Sequence, residues 1–454
     1  MKKNNYILLI VCFFGIALHA QTPQKWTLQE CVAYAIKNNI SIQQTELDVQ
    51  VIDVDKKDAV GNFLPSFNAV ASHNWNIGLN FNPITNAPET QTFQNTGVGL
   101  NMGVDIYKGL QNQNRLRRSN LSIIAAQYQL TKMKDDVSLN VANAFLQILF
   151  NKENLKVQKE LLLNNQKQEE RAQELVDAGS VPRGDVLDMK ATVATSQQAV
   201  ITAENQLLIS KLSLAQLLQL EDFKNFDVAD VAFEPSESEA MLQTPEAIFE
   251  KAKEQRVELK IARTNLEIAE KDIRIARGGF QPSLQGYYSF SARATNSKRL
   301  FQDETGTYLR GPEPIFEQFS DSKGHAFGVQ LNIPILNGFS VRNSVERSKI
   351  ALERSKIAYT QQELDLERNI YTAFTDAKGA LNAYEAAVIA MQARAESYNY
   401  ATERFAAGMM NAFDLNQSQT LYANAQSEII RTKYDYIFRV KVVEFYFGIP
   451  IMQQ

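Results

Sequence analysis

The fold of this 454-residue chain is decided by a stretch that ends in Ala178-Gly179-Ser180-Val181-Pro182-Arg183-Gly184-Asp185. Upstream, neither glycine nor proline occurs between Gly109 and Gly179, so nothing in the sequence interrupts a helix. At 1.5 Å per residue, such a helix would be about 100 Å long. Gly179 suits a helix C-cap and Pro182 suits the start of the next helix. We therefore predict a tight reversal within a long helical hairpin over 111–220.

A similar stretch follows between Gly338 and Asp414, at a constant offset (338 − 109 = 229). It predicts a second hairpin over 340–447. In both copies apolar residues recur every seven residues, which is the pattern of a coiled-coil seam. The ten positions are Leu116, Ile123, Leu130, Val137, Ala144, Val345, Leu352, Tyr359, Leu366 and Ala373.

Segments of alternating polarity predict four strands, at 66–81, 95–107, 283–296 and 325–336. In the first strand apolar side chains occupy the odd positions from Phe67 to Phe81, and the even positions are mostly serine and asparagine. Proline biases the preceding residue towards extended geometry, so each change from helix to strand is placed at one of two related tetrapeptides. These are Phe63-Leu64-Pro65-Ser66 and Phe280-Gln281-Pro282-Ser283. Residues 82–92 and 297–323 are predicted as loops.

Such alternation fits a half-buried soluble sheet as well as a transmembrane barrel. Two features favour the barrel. Each run has about the 9–11 residues that a tilted membrane strand needs, and the polar face is small or amide in character, as a wet lumen allows. Trp75, Phe81 and Tyr288 are the candidates for an aromatic girdle at the membrane interface.

The first 20 residues have the pattern of a secretory signal peptide, with Lys2 and Lys3 before a short apolar run and Ala20 at the cleavage point. An uncleaved anchor is the alternative. Gln21 follows in place of cysteine, which argues against lipid attachment. We divide the remainder into a first repeat at 21–220, a connector at 221–245 and a second repeat at 246–454. A capping box at Thr27 to Glu30 predicts the first helix.

The composition excludes several function classes. The formal net charge is −4 with no basic tract, so nucleic acid is not an expected partner. After signal removal Cys31 is the one remaining thiol, and His73 and His325 lie in strand patterns without neighbouring ligands. No phosphate loop, nucleophile elbow or zinc-protease motif occurs, so we predict neither an enzyme nor a cofactor or metal site.

Four strands cannot form a closed barrel within one chain, and an open sheet cannot lie in a bilayer because backbone groups in hydrocarbon must be paired. Two copies would give eight strands, with an interior that side chains fill. Three copies would give twelve, which leaves an open duct. The number of strands therefore favours a trimer and does not exclude larger rings.

The ordered and doubled set of motifs resembles the TolC-type outer-membrane efflux family over about 25–450. The resemblance includes Ile106-Tyr107-Lys108-Gly109 and Ile335-Leu336-Asn337-Gly338, where strands return to helices. It implies a mixed fold: a trimeric, 12-stranded outer-membrane β-barrel continued into a periplasmic α-helical tunnel, with the connector near the tunnel equator. The implied function is passive export of small molecules. A periplasmic adaptor and an inner-membrane pump of the RND or ABC type would be its partners, and outer-membrane lipid its surroundings.

In that family the second hairpin turn lines the periplasmic mouth. The resemblance therefore assigns a pore constriction to Asp414, Gln417 and Met410. Gln417 stands where a second acid is frequent and Met410 where an arginine can brace the closed mouth, so we expect a less charged ring with some apolar closure. The hairpin tips and adaptor contact would comprise Gly179, Arg183, Asp185, Asp188 and Gly408.

Three alternatives remain open at this point. Asp185 and Asp414 could simply complement the macrodipole in the first turn of a helix. The same fold could serve type I protein secretion. The chain could also be a periplasmic coiled-coil scaffold with soluble sheets.

Overall fold

The computed structural model describes residues 25–81, 87–221, 223, 225–231, 238–297, 299–304 and 306–449. The predicted signal peptide and residues 232–237 of the predicted connector lie outside these ranges. The described chain forms two compact units. Unit 1 comprises the described residues up to Ile42, Lys134–Phe249 and those from Ile370 onward, and unit 2 comprises Gln43–Met133 and Glu250–Asn369.

The helices of the two halves of the sequence match one by one in length. The pairs have 11, 22, 67 and 36 residues. They are α1 (Leu28–Asn38) with α5 (Pro245–Gln255), α2 (Ile40–Gly61) with α6 (Val257–Gly278), α3 (Gln111–Asp177) with α8 (Ser340–Ala406), and α4 (Arg183–Leu218) with α9 (Ala412–Phe447). The internal repeat and both long hairpins are therefore confirmed.

Unit 2 contains an antiparallel four-stranded sheet in the order β2-β3-β5-β8. The strands are β2 (Ser66–Phe81), β3 (Pro88–Lys108), β5 (Ser283–Thr295) and β8 (Gly324–Asn332). β2 and β3 pair without interruption from Ser66 opposite Gly103 to Phe81 opposite Pro88. The ladder between β3 and β5 shifts register between Asp105 and Tyr107. β2 and β8 form the two edges of this sheet.

Five strand boundaries differ from the sequence prediction, and two of them, the end of β3 at Lys108 and the start of β8 at Gly324, differ by one residue. β3 begins at Pro88 instead of residue 95, because residues 88–94 also pair with β2, and proline is tolerated as the first residue of a strand. β8 ends at Asn332 instead of residue 336. Pro334 lacks the N–H that a ladder needs, so the strand does not continue through it. β5 ends at Thr295, one residue before the predicted end.

The segment predicted as a polar loop at 297–323 contains regular structure. β6 (Arg299–Asp303) and β7 (Gly306–Arg310) pair with each other, and α7 (Ile315–Ser322) follows. The Gln318 side chain accepts a hydrogen bond from Thr295 N at 2.9 Å and donates one to Thr295 O at 3.0 Å. Ser322 makes the same two kinds of bond with the backbone of Arg293. The β5–β8 ladder ends at Ser291 opposite Gly324. Beyond it, Gln318 and Ser322 take the place of a strand partner for the β5 backbone.

Part of the predicted connector pairs with the start of the described chain in unit 1. β1 (Lys25–Trp26) and β4 (Asp227–Val228) are parallel, and a short 3₁₀ turn follows at Glu239–Leu242. An ionic group that we call the connector clasp surrounds this pair. It comprises Lys25, Lys152, Lys211, Asp227 and Asp230, with Lys152 Nζ 3.0 Å from Asp227 and 2.8 Å from Asp230.

Local sequence signals explain where the helices begin and pack. At the start of α1 the Thr27 hydroxyl accepts a hydrogen bond from Glu30 N at 3.2 Å, and the Glu30 carboxylate accepts one from Thr27 N at 2.8 Å. The predicted capping box is thus confirmed. All ten predicted seam positions on α3 and α8 are buried or half-buried, as a coiled-coil seam requires.

Candidate functional site

The two hairpin turns of unit 1 share one apolar cluster. We call it the tip cluster, and its buried members are Ala172, Val186, Met189, Ala401, Phe405, Ala412 and Leu415. These residues come from all four long helices, on both sides of each turn. Because one cluster joins both turns, the second hairpin tip is packed against the first within this chain.

Both turns reverse the chain with the same backbone geometry. Gly179 has a φ of +72° and Gly408 a φ of +70°, in the region that glycine adopts without a steric penalty. Ser180 N bonds to Leu175 O and Met409 N to Arg404 O, at 2.8 and 2.9 Å. Gly179 N also bonds to Val176 O at 2.9 Å and Gly408 N to Phe405 O at 3.0 Å, so α3 and α8 both end in Schellman motifs.

The returning helices begin differently in the two copies. At α9 the Asn411 side chain caps the helix by accepting a hydrogen bond from Asp414 N at 2.8 Å. At α4 the N-cap is Pro182, which makes no side-chain cap. Asp414 and Asp185 each lie in the first helical turn, where a carboxylate favours the macrodipole. Asn411 supplies the cap of α9, so the Asp414 carboxylate is not needed for capping.

The candidate tip residues differ in exposure. Asp414 and Gln417 are exposed on α9, and Asp188 and Arg183 are exposed on α4, whereas Asp185 is half-buried. Met410 is also half-buried, because it packs against the tip cluster. Met410 therefore contacts the apolar cluster of its own chain.

Two exposed apolar residues of the second turn were missing from the sequence prediction. Met409 is 66% exposed and Phe413 is 70% exposed, on either side of the N-cap Asn411. Their counterparts in the first repeat are Ser180 and Gly184. This difference between the two turns was visible in the sequence, but helical periodicity does not apply within a turn and so gave no prediction of exposure.

A buried polar network joins the hairpins above the tip cluster. Gln419 Nε2 donates to the side-chain Oδ1 of Asn165, and Asn165 Nδ2 donates to Ser196 Oγ at 2.6 Å. All three residues are buried. Nearby, Gln168 donates to the Tyr398 hydroxyl at 2.8 Å. We call Asn165, Ser196 and Gln419 the amide layer; it connects α3, α4 and α9.

One face of the unit 2 sheet is largely apolar, and it is exposed along the edge strands β2 and β8. It carries the exposed side chains of Phe67, Trp75, Ile77, Leu79, Phe81, Phe327, Val329 and Leu331. The registers place Phe67, Met102, Tyr288 and Phe327 in one row across the four strands. The opposite face is mostly glycine, serine and asparagine. An exposed apolar face of this extent is expected to meet another apolar surface.

The predicted girdle residues do not lie in one row. Trp75 is paired with Gln94 and Tyr288 with Met102, so their rows are about 26 Å apart along β3 at 3.3 Å per residue. Phe81 is paired with Pro88, a further six positions away. The spacing of the Trp75 and Tyr288 rows is close to the roughly 25 Å height of the apolar band of a membrane barrel.

The long hairpins and the two-faced sheet together define the class of outer-membrane ducts that have helical extensions. The model of the outer membrane efflux protein family matches residues 32–219 and 248–440, one match in each half, and the chain belongs to this family. Outer membrane protein TolC of Vibrio cholerae is 26% identical over 415 residues, which cover 88% of this chain and 87% of that protein.

Two further similarities concern function and fold. The alkaline protease secretion protein AprF of Pseudomonas aeruginosa is 24% identical over 260 residues, 56% of this chain and 47% of that protein. The CmeC outer membrane channel of Campylobacter jejuni has a TM-score of 0.74 and 18% identity, with coverage of 94% of this chain and 87% of that one.

These findings confirm the predicted fold class, location and general function. The chain is an outer-membrane protein that extends into the periplasm, and it serves as a duct for efflux or secretion. Among the described helices, none is long and apolar enough to cross a membrane.

Proposed function

We propose that three copies of the chain form a passive duct that exports small molecules through a 12-stranded barrel and a periplasmic tunnel. The observation that carries this proposal is the four-stranded sheet, with its two edges β2 and β8 and its exposed apolar face. In a closed trimer, the β2 and β8 edges of neighbouring chains would pair with each other, and the apolar face would contact lipid. The duct is not an enzyme; its energy comes from an inner-membrane pump.

The mouth of the duct would be formed by the second hairpin turn, with Asp414 and Gln417 as its polar ring. Exposed Met409 and Phe413 add apolar closure there, while Met410 holds the turn to the tip cluster. Gly179, Arg183, Asp185 and Asp188 would form the outer tip, beside Gly408, and contact a periplasmic adaptor. This assignment follows the family resemblance, and the contrast between the polar first turn and the apolar second turn supports it.

Protein export is the second candidate. Its support is the partial match to AprF, a protein named for secretion of an alkaline protease. Both candidates use the same duct, and the pump would decide between them. A deletion strain that accumulates small toxic compounds while its secreted proteins remain unchanged would favour efflux; the reverse result would favour secretion.

Conductance of the purified protein in planar bilayers tests the duct and its mouth. The wild-type protein should conduct and prefer cations, and Asp414→Asn should lower that preference while keeping the shape of the side chain. Asp188→Asn is the matched control, because Asp188 is exposed on the first hairpin and should leave selectivity unchanged. A silent bilayer would contradict the duct, and unchanged selectivity in Asp414→Asn would leave that residue only its role in the helical turn.

A further inference from the structure

The polar face of the strand sheet lines a cavity of about 460 Å³. Six of the residues around it belong to that face by register: Val70, Ser72, Gly97, Gly99, Ser291 and Arg293. The glycines and serines leave space, so one long side chain dominates the cavity. That side chain is Arg293, which is exposed.

The Arg293 guanidinium has no partner in the part of the chain that the structure describes. Its backbone N–H and carbonyl bond to Ser322, but no ion pair or side-chain hydrogen bond engages the guanidinium. Glu317 and Asp321 of the adjoining α7 are exposed and are not paired with it. An arginine presents five donors in a fixed fork, which matches the oxygens of carboxylates and phosphates.

The other charged residues on this face lie far from Arg293 and have interaction partners of their own. The four strands of this sheet carry Glu89, Asp105, Lys108 and Arg293 on the polar face. Arg293 is paired with Gly97, so Asp105 and Glu89 lie eight positions away in opposite directions, about 26 Å each. Asp105 forms an ion pair with Lys108 at 2.7 Å, and Glu89 also has interaction partners. At physiological salt the screening length is about 8 Å, so these carboxylates do not offset the field of Arg293.

We propose that Arg293 is an anion-binding site on the lumen side of the sheet and that it selects for anionic groups of solutes in transit. Its ligands would be carboxylate, sulfonate or phosphate groups. The hydroxyls of Ser72 and Ser291 border the same cavity and can donate to the same oxygens. The inference rests on the proposed duct, in which three copies of Arg293 would surround one lumen, where low-dielectric walls concentrate the field of a charge.

The test is the chloride-to-potassium permeability ratio, obtained from the reversal potential of single channels in a KCl gradient. Arg293→Gln should lower this ratio by about two- to fivefold, the effect of removing one unit charge near an ion in water. Arg293→Lys should retain most of it, because the charge remains. Adding Ser291→Arg to Arg293→Gln should restore the ratio, since residue 291 is exposed on the same face two positions away.

The outcomes separate this inference from the duct itself. If Arg293→Gln conducts with the wild-type permeability ratio, the anion site is wrong and the duct stands. If neither protein conducts, the proposed duct fails. If the ratio falls but Ser291→Arg does not restore it, the loss reflects altered sheet structure and the anion site is again rejected.

Discussion

Glycine is required at the hairpin turns for a backbone reason alone. A Cβ built on Gly179 or Gly408 would meet no atom within 4 Å, yet both residues have positive φ. Gly408→Ala should therefore lower stability by about 1–2 kcal/mol, the penalty of a left-handed conformation for an L-residue. Thermal unfolding in detergent would measure the change.

Gly184→Ala is the matched control for that prediction. Gly184 also has open space around a built Cβ, but it lies in the first turn of α4 and is not among the residues with positive φ. Alanine favours a helix over glycine, so the melting temperature should stay the same or rise. Equal losses in both variants would show that the turn geometry is not the cause.

The connector clasp predicts a loss of stability in acid. Burial raises the pKa of the Asp227 carboxyl, but the hydrogen bonds and charges of Lys152 and Lys211 outweigh it and hold this pKa below its usual value. Lys152 and Lys25 likewise lower the pKa of Asp230. Carboxylates with lowered pKa stabilise the fold above about pH 4 and lose that effect as pH falls through their folded-state pKa.

Lys152→Met should accordingly destabilise the protein by about 1–3 kcal/mol at pH 7, because it removes hydrogen bonds to two carboxylates. The deficit relative to wild type should shrink at pH 3. Lys159→Met is the control, since its ion pair with Glu204 is exposed and contributes close to nothing. Lys152 Nζ also donates to Val228 O at 2.7 Å, so a deficit that is independent of pH would assign the effect to that bond or to packing instead of the carboxylates.

At the scale of elements, the heptad seam explains why helices of 67 residues remain regular. Leu366 of α8 is 3% exposed at a predicted seam position. Leu366→Ala should cost about 2–5 kcal/mol through lost burial and a cavity. Gln361→Ala, on an exposed position of the same helix, should change stability by less than about 0.5 kcal/mol. Unfolding followed by circular dichroism would measure the stability of both variants. Similar losses of stability in the two would argue against the seam.

Element boundaries show the limit of local pattern. The alternation that predicted β8 continued through Ile333 and Ile335, but the missing N–H of Pro334 ends the strand at Asn332. In the opposite direction, β6, β7 and α7 formed where a loop was predicted. Each of these elements is short. Gln318 and Ser322 bond α7 to the β5 backbone, and a local sequence pattern does not predict such contacts.

At the scale of the whole molecule, the two sheet edges and the apolar face predict a closed assembly. Native mass measurement after detergent extraction should give about three times the chain mass, less the signal peptide. The expected localisation is the outer-membrane fraction. A protein extracted without detergent would support the soluble scaffold, and a stable membrane-embedded monomer would contradict the proposed pairing of edges.

The sequence alone determined the doubled hairpins, their turns and the four strands of the sheet in unit 2. The absence of glycine and proline, the heptads and the strand alternation act over a few residues, so they can be recognised without knowing the fold. Of the candidate site, the turn motifs predicted the positions of Asp414, Gln417 and the two glycines. Their roles in the pore remain proposals.

The tertiary structure decided which side chains meet. Gln419 bonds to Asn165 across 254 residues, and Lys152 bonds to Asp230 across 78. The partial burial of Met410 and the exposure of Met409 and Phe413 likewise depend on neighbours from other elements. The same holds for the Arg293 guanidinium, which has no partner among the described residues. Contacts over such separations are fixed by the packing of the helices and the register of the sheet. A pattern read along the chain therefore could not supply them.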